Sequence, residues 1–284
     1  MNTVNIKAHA KINLSLDVIG KRDDGYHNLK MVMAKVPLFD LVTVSKAQDI
    51  TVKTNLSFLS NSQKNIAHKA SVSFFDYTGI KGGADIIIEK NIPVSAGLAG
   101  GSADGAATLQ ALNILYEANL SPAELEKIGN EIGKDIPFCL NEGVYLAEGT
   151  GEKLTKLPDM PKCFMVLTKP SGINVSTREI FGRLDVNKID LHPDTNGIID
   201  GLAEQDIDKI ARRMYNVLED VTIKMHPHLN DLKKIFIDSG AAGVVMSGSG
   251  PSVFGIFKGE KAADEAYASL RDLDEQTYKF DIFD

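Results

Sequence analysis

The stretch N-I-P-V-S-A-G-L-A-G-G-S-A-D-G-A-A, residues 91–107, constrains the fold more than any other part of the chain. Residues 84–89 before it read as an apolar strand, and after Ser102 the residues Ala106, Leu109, Leu112 and Tyr116 recur at helical spacing. The pattern predicts strand, glycine loop, helix. Gly97, Gly100 and Gly101 permit positive φ and close main-chain approach, while the first helical turn offers N–H groups with no acceptor inside the helix. With the positive end of the helix dipole, such a turn is an anion site whose usual guest is phosphate. A turn of small residues that packs a helix tightly on a sheet would be spelled the same way, so glycine spacing alone leaves both readings open. No Lys follows the glycines as in GxxxxGK[ST], and Ala99 stands where GxGxxG requires glycine, so Walker and Rossmann readings lose support.

With 284 residues, 43% of them hydrophobic, the chain can bury one large core or two ordinary ones. A formal net charge of -7 at pH 7 argues against nucleic acid as a partner and for a small molecule held by local donors. No apolar run approaches the ~20 residues of a membrane span, and the first residues alternate where a signal peptide would be continuously apolar. The expectation is a cytoplasmic protein without membrane association. Cys139 and Cys163 have no metal or redox spacing and read as buried thiols. No heptad or apolar stripe marks a partner face, which fits a monomer or weak homodimer.

Residues 11–19 alternate, with Ile12, Leu14, Leu16 and Val18 on one strand face and Lys11, Asn13, Ser15 and Asp17 on the other. A polar strand face is usually solvated. A turn at residues 21–25 leads into Tyr26 and His27, which can stack on a flat ring or fold onto the core. Strands follow over residues 32–44 and 50–54, then a helix over 65–78 with Asn65 as its cap or as a ligand contact. Ser121-Pro122-Ala123-Glu124 is a capping box that opens a helix running to about Gly133. Pro137 is expected to hold the chain extended, placing Asp135 on a link between that helix and a strand. A strand at 144–147 and the two prolines of Leu157-Pro158-Asp159-Met160-Pro161 put the domain boundary after residue 158, dividing the chain into 1–158 and 159–284. The second half reads as strands at 163–167, 244–246, 253–257 and 278–283 with helices at 177–184, 207–218, 229–238 and 262–270. That is an α+β pattern. Between two of these strands, Ser247-Gly248-Ser249-Gly250-Pro251-Ser252 is either a hairpin turn or a backbone nest for phosphate.

Taken together, PVSAGLAGGSADGAATLQALN, the early AKINLSLDV with its GYH, GKDIPF and the late SGSGPSVFG resemble the GHMP kinase superfamily, in order and over nearly the whole chain. The resemblance implies a two-domain α/β two-layer fold, with an N-terminal half like ribosomal protein S5 domain 2 that binds ATP and a ferredoxin-like C-terminal half. It implies an ATP- and Mg²⁺-dependent kinase acting on an alcohol. The branch it most resembles phosphorylates the 2-hydroxyl of 4-diphosphocytidyl-2-C-methyl-D-erythritol, in the non-mevalonate route to isoprenoid precursors.

By this resemblance Lys11 and Asp135 are the catalytic pair. The ATP site is Asn65 with the loop Pro93, Val94, Ser95, Ala96, Gly97, Leu98, Ala99, Gly100, Gly101, Ser102 and Ala103. Asn13, Tyr26, His27, Thr177, Gly248, Ser249 and Gly250 would contact the substrate, and no protein ligand is assigned to the metal. Two alternatives stay open: a kinase of the same superfamily for another small alcohol, and a nucleotide-binding homologue of weak catalytic power. Gly105, where a helix former such as Ala is expected, should cost the helix roughly 1 kcal/mol.

Overall fold

The structure, a computed structural model, describes residues 2–56, 58–59, 64–273 and 275–282. Packing divides the chain into two compact units that interleave along the sequence. One takes residues 1–11, 37–92 and 99–142, the other 12–36, 93–98 and 143–284. The boundary expected after residue 158 follows chain order and composition, whereas these units follow contact, so the two divisions describe different things.

The first unit uses the start of β1 (Thr3–Lys21) and the end of β2 (His27–Ala47), followed by β3 (Thr51–Thr54), α1 (Ile66–Thr78), β4 (Gly83–Glu89), α2 (Gly100–Leu115), α3 (Pro122–Ile132) and α4 (Ile136–Cys139). β4 runs antiparallel to β2 from Leu41↔Glu89 to Ala47↔Gly83, and β3 lies parallel to β4. α1 begins where Asn65 Oδ1 accepts from Ala67 N at 2.9 Å and ends at Gly79 with φ 68°. α3 opens with the expected capping box, Ser121 N donating to Glu124 Oε2 at 2.8 Å and Glu124 N to Ser121 Oγ at 3.4 Å.

α4 corrects one expectation: the chain after Asp135 turns into a short helix, not a strand. Proline is tolerated in a first helical turn because its missing N–H has no intrahelical acceptor there, and Pro137 occupies that place.

The second unit continues with β5 (Val144–Gly149), β6 (Lys153–Lys156), β7 (Cys163–Lys169), α5 (Thr177–Arg183), α6 (Thr195–Glu204), α7 (Ile207–Ala211), β8 (Tyr215–Asn216), α8 (Glu219–Met225), α9 (His228–Asp238), β9 (Gly243–Met246), β10 (Val253–Phe257), α10 (Glu260–Arg271) and β11 (Gln276–Ile282). Phe283, expected to end the last strand, lies outside the described residues. β5 pairs with the start of β2, and β8 runs parallel to β1. A separate antiparallel sheet has the order β11-β7-β10-β9. Counting its strands in chain order gives fourth, first, third, second, the arrangement of a ferredoxin-like unit with α9 and α10 packed on it.

The helix expected over 207–218 is interrupted, because Tyr215 and Asn216 leave it to pair with Ser15 and Leu16 of β1. No helix among the described residues is long and apolar enough to cross a membrane. Both cysteines are buried and neither forms a disulfide, and burial pushes the Cys163 thiol up to about 12.

In the first unit α1, α2 and α4 meet at Gly105. A Cβ there would lie 2.7 Å from Ile66 Cγ2 and 3.3 Å from Ile136 Cδ1. The glycine therefore sets helix spacing, and its conformational cost is offset by close packing. Gly105→Ala should gain roughly 1 kcal/mol of helix propensity and lose more to overpacking, a net loss of about 1 kcal/mol. Thermal unfolding checks this: a raised melting temperature would contradict it.

Candidate active site

The glycine loop reaches α2 through three alternate left-handed residues, Ser95 (φ 53°), Gly97 (φ 76°) and Ala99 (φ 56°). Only one is glycine. The other two hold a conformation that costs an L-residue roughly 1–2 kcal/mol, the kind of strain that collects at functional sites. Pro93, Ala96 and Leu98 are buried and anchor the loop, Val94 is half-buried and Ser95 is exposed.

Gly100 and Gly101 were expected to take positive φ, but they are the first helical residues of α2, which starts before Ser102. Their missing side chains serve packing: a Cβ on Gly100 would lie 3.0 Å from Ile92 Cγ2, and one on Gly101 3.1 Å from Ile66 Cδ1. Ala99 provides no side-chain cap, so the N–H groups of Gly100, Gly101 and Ser102 are left for a ligand or water, while Ala103 N bonds Ala99 O at 2.9 Å.

Within the second unit, residues 96–97 touch the second glycine loop. Ser247 Oγ donates to Gly97 O at 3.0 Å and Ser252 N to Ala96 O at 3.3 Å. A Cβ on Gly97 would fall 2.1 Å from Ser247 O, so only glycine allows the approach. The second loop joins β9 to β10 with Gly248 and Gly250 at φ 57° and 83°. Asn216 Nδ2 holds it by donating to Met246 O at 2.8 Å and Gly248 O at 2.7 Å, and Thr222 Oγ1 donates to Ser249 O at 3.1 Å. Thr177 and Ser249 share a hydroxyl–hydroxyl bond of 2.9 Å.

The same unit carries the aromatic residues. Tyr26 is 54% exposed on a turn set by Asp24, whose carboxylate accepts Tyr26 N at 3.0 Å. The His27 ring lies 5.1 Å from that of Phe181 on α5, tilted by 31°. Burial, with the positive charge of Lys21 second, holds the His27 imidazole below its usual pKa, which favours the neutral ring. Asn13 is fully buried, its amide donating to Met31 Sδ at 3.4 Å. The polar face of β1 is thus not solvated: Lys11, Asn13, Ser15 and Asp17 are all buried.

In the first unit, Lys11 lies on β1 and Asp135 precedes α4, its carboxylate making no cap bond to that helix. A Cβ on Gly133 would lie 3.8 Å from Ser102 Oγ, so the segment leading to Asp135 runs beside the opening turn of α2. Lys134 folds back onto α3, donating to Asn130 Oδ1 at 3.0 Å.

Residues 65–143 match the GHMP kinases N terminal domain, and residues 198–275 match the GHMP kinases C terminal domain. The chain belongs to the GHMP kinase family. A Lachnospira eligens protein named 4-diphosphocytidyl-2-C-methyl-D-erythritol kinase is 45% identical over 287 residues, spanning 100% of this GHMP kinase and 99% of that relative. A crystal structure of 4-(cytidine 5'-diphospho)-2C-methyl-D-erythritol kinase superposes with TM-score 0.82 at 30% identity, over 97% of this chain and 98% of that one. A homoserine kinase from Cytophaga hutchinsonii shares the fold, with TM-score 0.78 at 20% identity over 99% and 94% of the two chains.

Sequence reading missed two parts of this GHMP kinase. Phe181 lies far from Tyr26 and His27 in the chain and had no local motif to mark it. Lys90, Asp40 and Asp104 form a buried cluster: Lys90 Nζ bonds Asp40 Oδ2 and lies 2.7 Å from Asp104 Oδ2. Burial would depress the Lys90 ammonium, but Asp104 and Asp40 outweigh it and the pKa is raised. Burial pushes the Asp104 carboxyl up to about 7, opposed by Lys90 and aided by Asp40.

An unfolded Asp titrates near ~3.9, so between there and neutrality the folded protein holds a proton that the unfolded chain lacks. This contribution to stability is present below the unfolded pKa and is lost as pH rises through about 7. Denaturant unfolding from pH ~5 to ~8 should show wild type losing stability relative to Asp104→Asn as pH rises. Parallel curves would contradict the assignment.

Proposed function

We propose that this GHMP kinase transfers the γ-phosphoryl group of ATP to the 2-hydroxyl of 4-diphosphocytidyl-2-C-methyl-D-erythritol, a step of non-mevalonate isoprenoid precursor synthesis. The observation that carries the acceptor is the aromatic pairing of His27 with Phe181 beside exposed Tyr26. A cytosine ring needs flat apolar partners and a neutral group that can both donate to and accept from its polar edge. His27, held neutral by burial, meets that need.

Phosphoryl transfer passes through a loose transition state, so positioning and charge stabilisation supply most of the rate. The free N–H groups at the start of α2 bind phosphate oxygens of the nucleotide. Asn65 already gives its side-chain oxygen to the α1 cap, so its amide N–H₂ is the part left for the adenine. Lys11 supplies positive charge to the phosphoryl oxygens. Asp135 accepts the proton of the attacking hydroxyl as the new P–O bond forms, and the bridging P–O bond breaks with its electron pair leaving on ADP. Asn13, Thr177 and the Gly248-Ser249-Gly250 turn orient the acceptor.

Mg²⁺, a hard cation that keeps several waters and takes few protein ligands, would neutralise phosphate charge.

The direct test is turnover of ATP by the purified protein with Mg²⁺, with and without the cytidylyl substrate, identifying the product by mass. ADP release coupled to a substrate heavier by one phosphate supports the reading; faster turnover with another alcohol, such as homoserine, would reassign the acceptor. Asp135→Asn should leave ATP binding intact and lower kcat by about 10²–10⁴-fold, and near-normal turnover would remove it as the base. Phe181→Ala should raise the KM for the cytidylyl substrate about tenfold with the KM for ATP unchanged, and an unaltered substrate KM would exclude the ring from the site.

A further inference from the structure

The buried cluster of Lys90, Asp40 and Asp104 has no part in the phosphoryl transfer described above, yet it joins the two stems of the phosphate loop. On the upstream stem, Asp40 Oδ1 accepts Asn91 N at 2.6 Å and Ile92 N at 2.8 Å, while Lys90 N donates to Asn55 Oδ1 at 2.8 Å. Downstream, Asp104 belongs to α2, and its Oδ2 takes the Lys90 ammonium at 2.7 Å. Lys90 also borders the start of α2: a Cβ on Gly100, its first residue, would lie in ordinary contact with Lys90 Nζ at 3.5 Å. The side chains of Lys90, Asp40 and Asp104 are 5%, 0% and 7% exposed.

Two carboxyl groups and one ammonium in so dry a place are a poor source of stability, since apolar replacements of similar volume are often neutral or better. Asp104 Oδ1 is also buried without a hydrogen-bond partner. Such a cluster is better explained by geometry than by stability. Between the stems, Ser95 and Ala99 hold left-handed conformations that local preference does not maintain; the second glycine loop holds residues 96–97 between them, and the stems must hold the rest.

We propose that Asp104 is a positioning residue for the phosphate loop: through Lys90 its carboxylate fixes the first turns of α2 against residues 90–92, presetting the loop's N–H groups for nucleotide phosphates. The assignment rests on the kinase reading above for the identity of the ligand, but not for the clamp itself.

The test compares Asp104→Ala, Asp104→Leu and Asp104→Asn with wild type, well below their melting temperatures. Calorimetric titration with MgADP, steady-state kinetics and amide hydrogen exchange over residues 93–103 are the readouts. Asn keeps an oxygen to accept from Lys90, Leu keeps the volume alone and Ala keeps neither. The clamp predicts that Ala and Leu weaken MgADP binding and raise the KM for ATP about tenfold, with kcat and the KM for the alcohol within about twofold. Exchange in the loop should quicken in both, and Asn should return the KM for ATP to within about threefold of wild type.

Ala or Leu variants with a lowered melting temperature but wild-type KM for ATP and loop exchange would overturn it, as would Leu restoring both readouts. Wild type that fails to turn over ATP would refute the kinase reading instead. The exchange comparison needs no nucleotide and judges the clamp in either case.

Discussion

The closest main-chain approach at the site is that of Gly97 to Ser247, where an added Cβ would meet a carbonyl oxygen at 2.1 Å. Much of the second unit is arranged to permit it. Gly97 adopts φ 76°, Ser247 Oγ seals the contact from one side and Ser252 N from the other. Asn216 leaves the expected helix, pairs with β1 and spends both amide N–H groups on the turn that receives Gly97. Two loops that look alike in sequence are therefore complementary halves of one contact. Their glycines serve nearness to each other as much as nearness to a ligand.

This division of labour extends to the chemistry. Main-chain N–H groups at the start of α2 are suited to phosphate because they are fixed, uncharged and cost no side-chain entropy when they bind. In the proposed reaction, side chains are needed where charge or a proton must move, the roles proposed for Lys11 and Asp135. Aromatic rings suit the remaining part of the proposed substrate, where shape and a polar edge must be read together.

Much of this was legible from residue order. The strand-loop-helix pattern, the capping box at Ser121 and the helix after Asn65 rest on local rules, and local rules hold where the segment's own hydrogen bonds decide its form. The failures share a cause. Tyr215 and Asn216 read as helix because their β partner is Ser15 and Leu16, some two hundred residues earlier. Gly105 reads as a weak helix residue until Ile66 and Ile136 are seen against it. The polar face of β1 reads as solvated because a two-residue alternation reports which face is polar, not whether anything covers it. Phe181 and the Lys90 cluster were invisible for the same reason, being defined by neighbours distant in the chain.

The interleaving of the two units bears on how the chain is made. Every residue of the first unit has been synthesised once Glu142 has been added. The second unit draws on Ile12–Val36 and Pro93–Leu98, yet its remaining strands and helices begin only at Gly143. At ~5–20 residues per second, Ile12–Val36 waits from about five to about twenty seconds before those partners begin to appear. During that interval the edge of β2 that β5 will cover, and the stretch of β1 that β8 will cover, are open to other strands. The order of synthesis thus makes the nascent second unit, rather than the finished protein, the form most in need of protection by a chaperone.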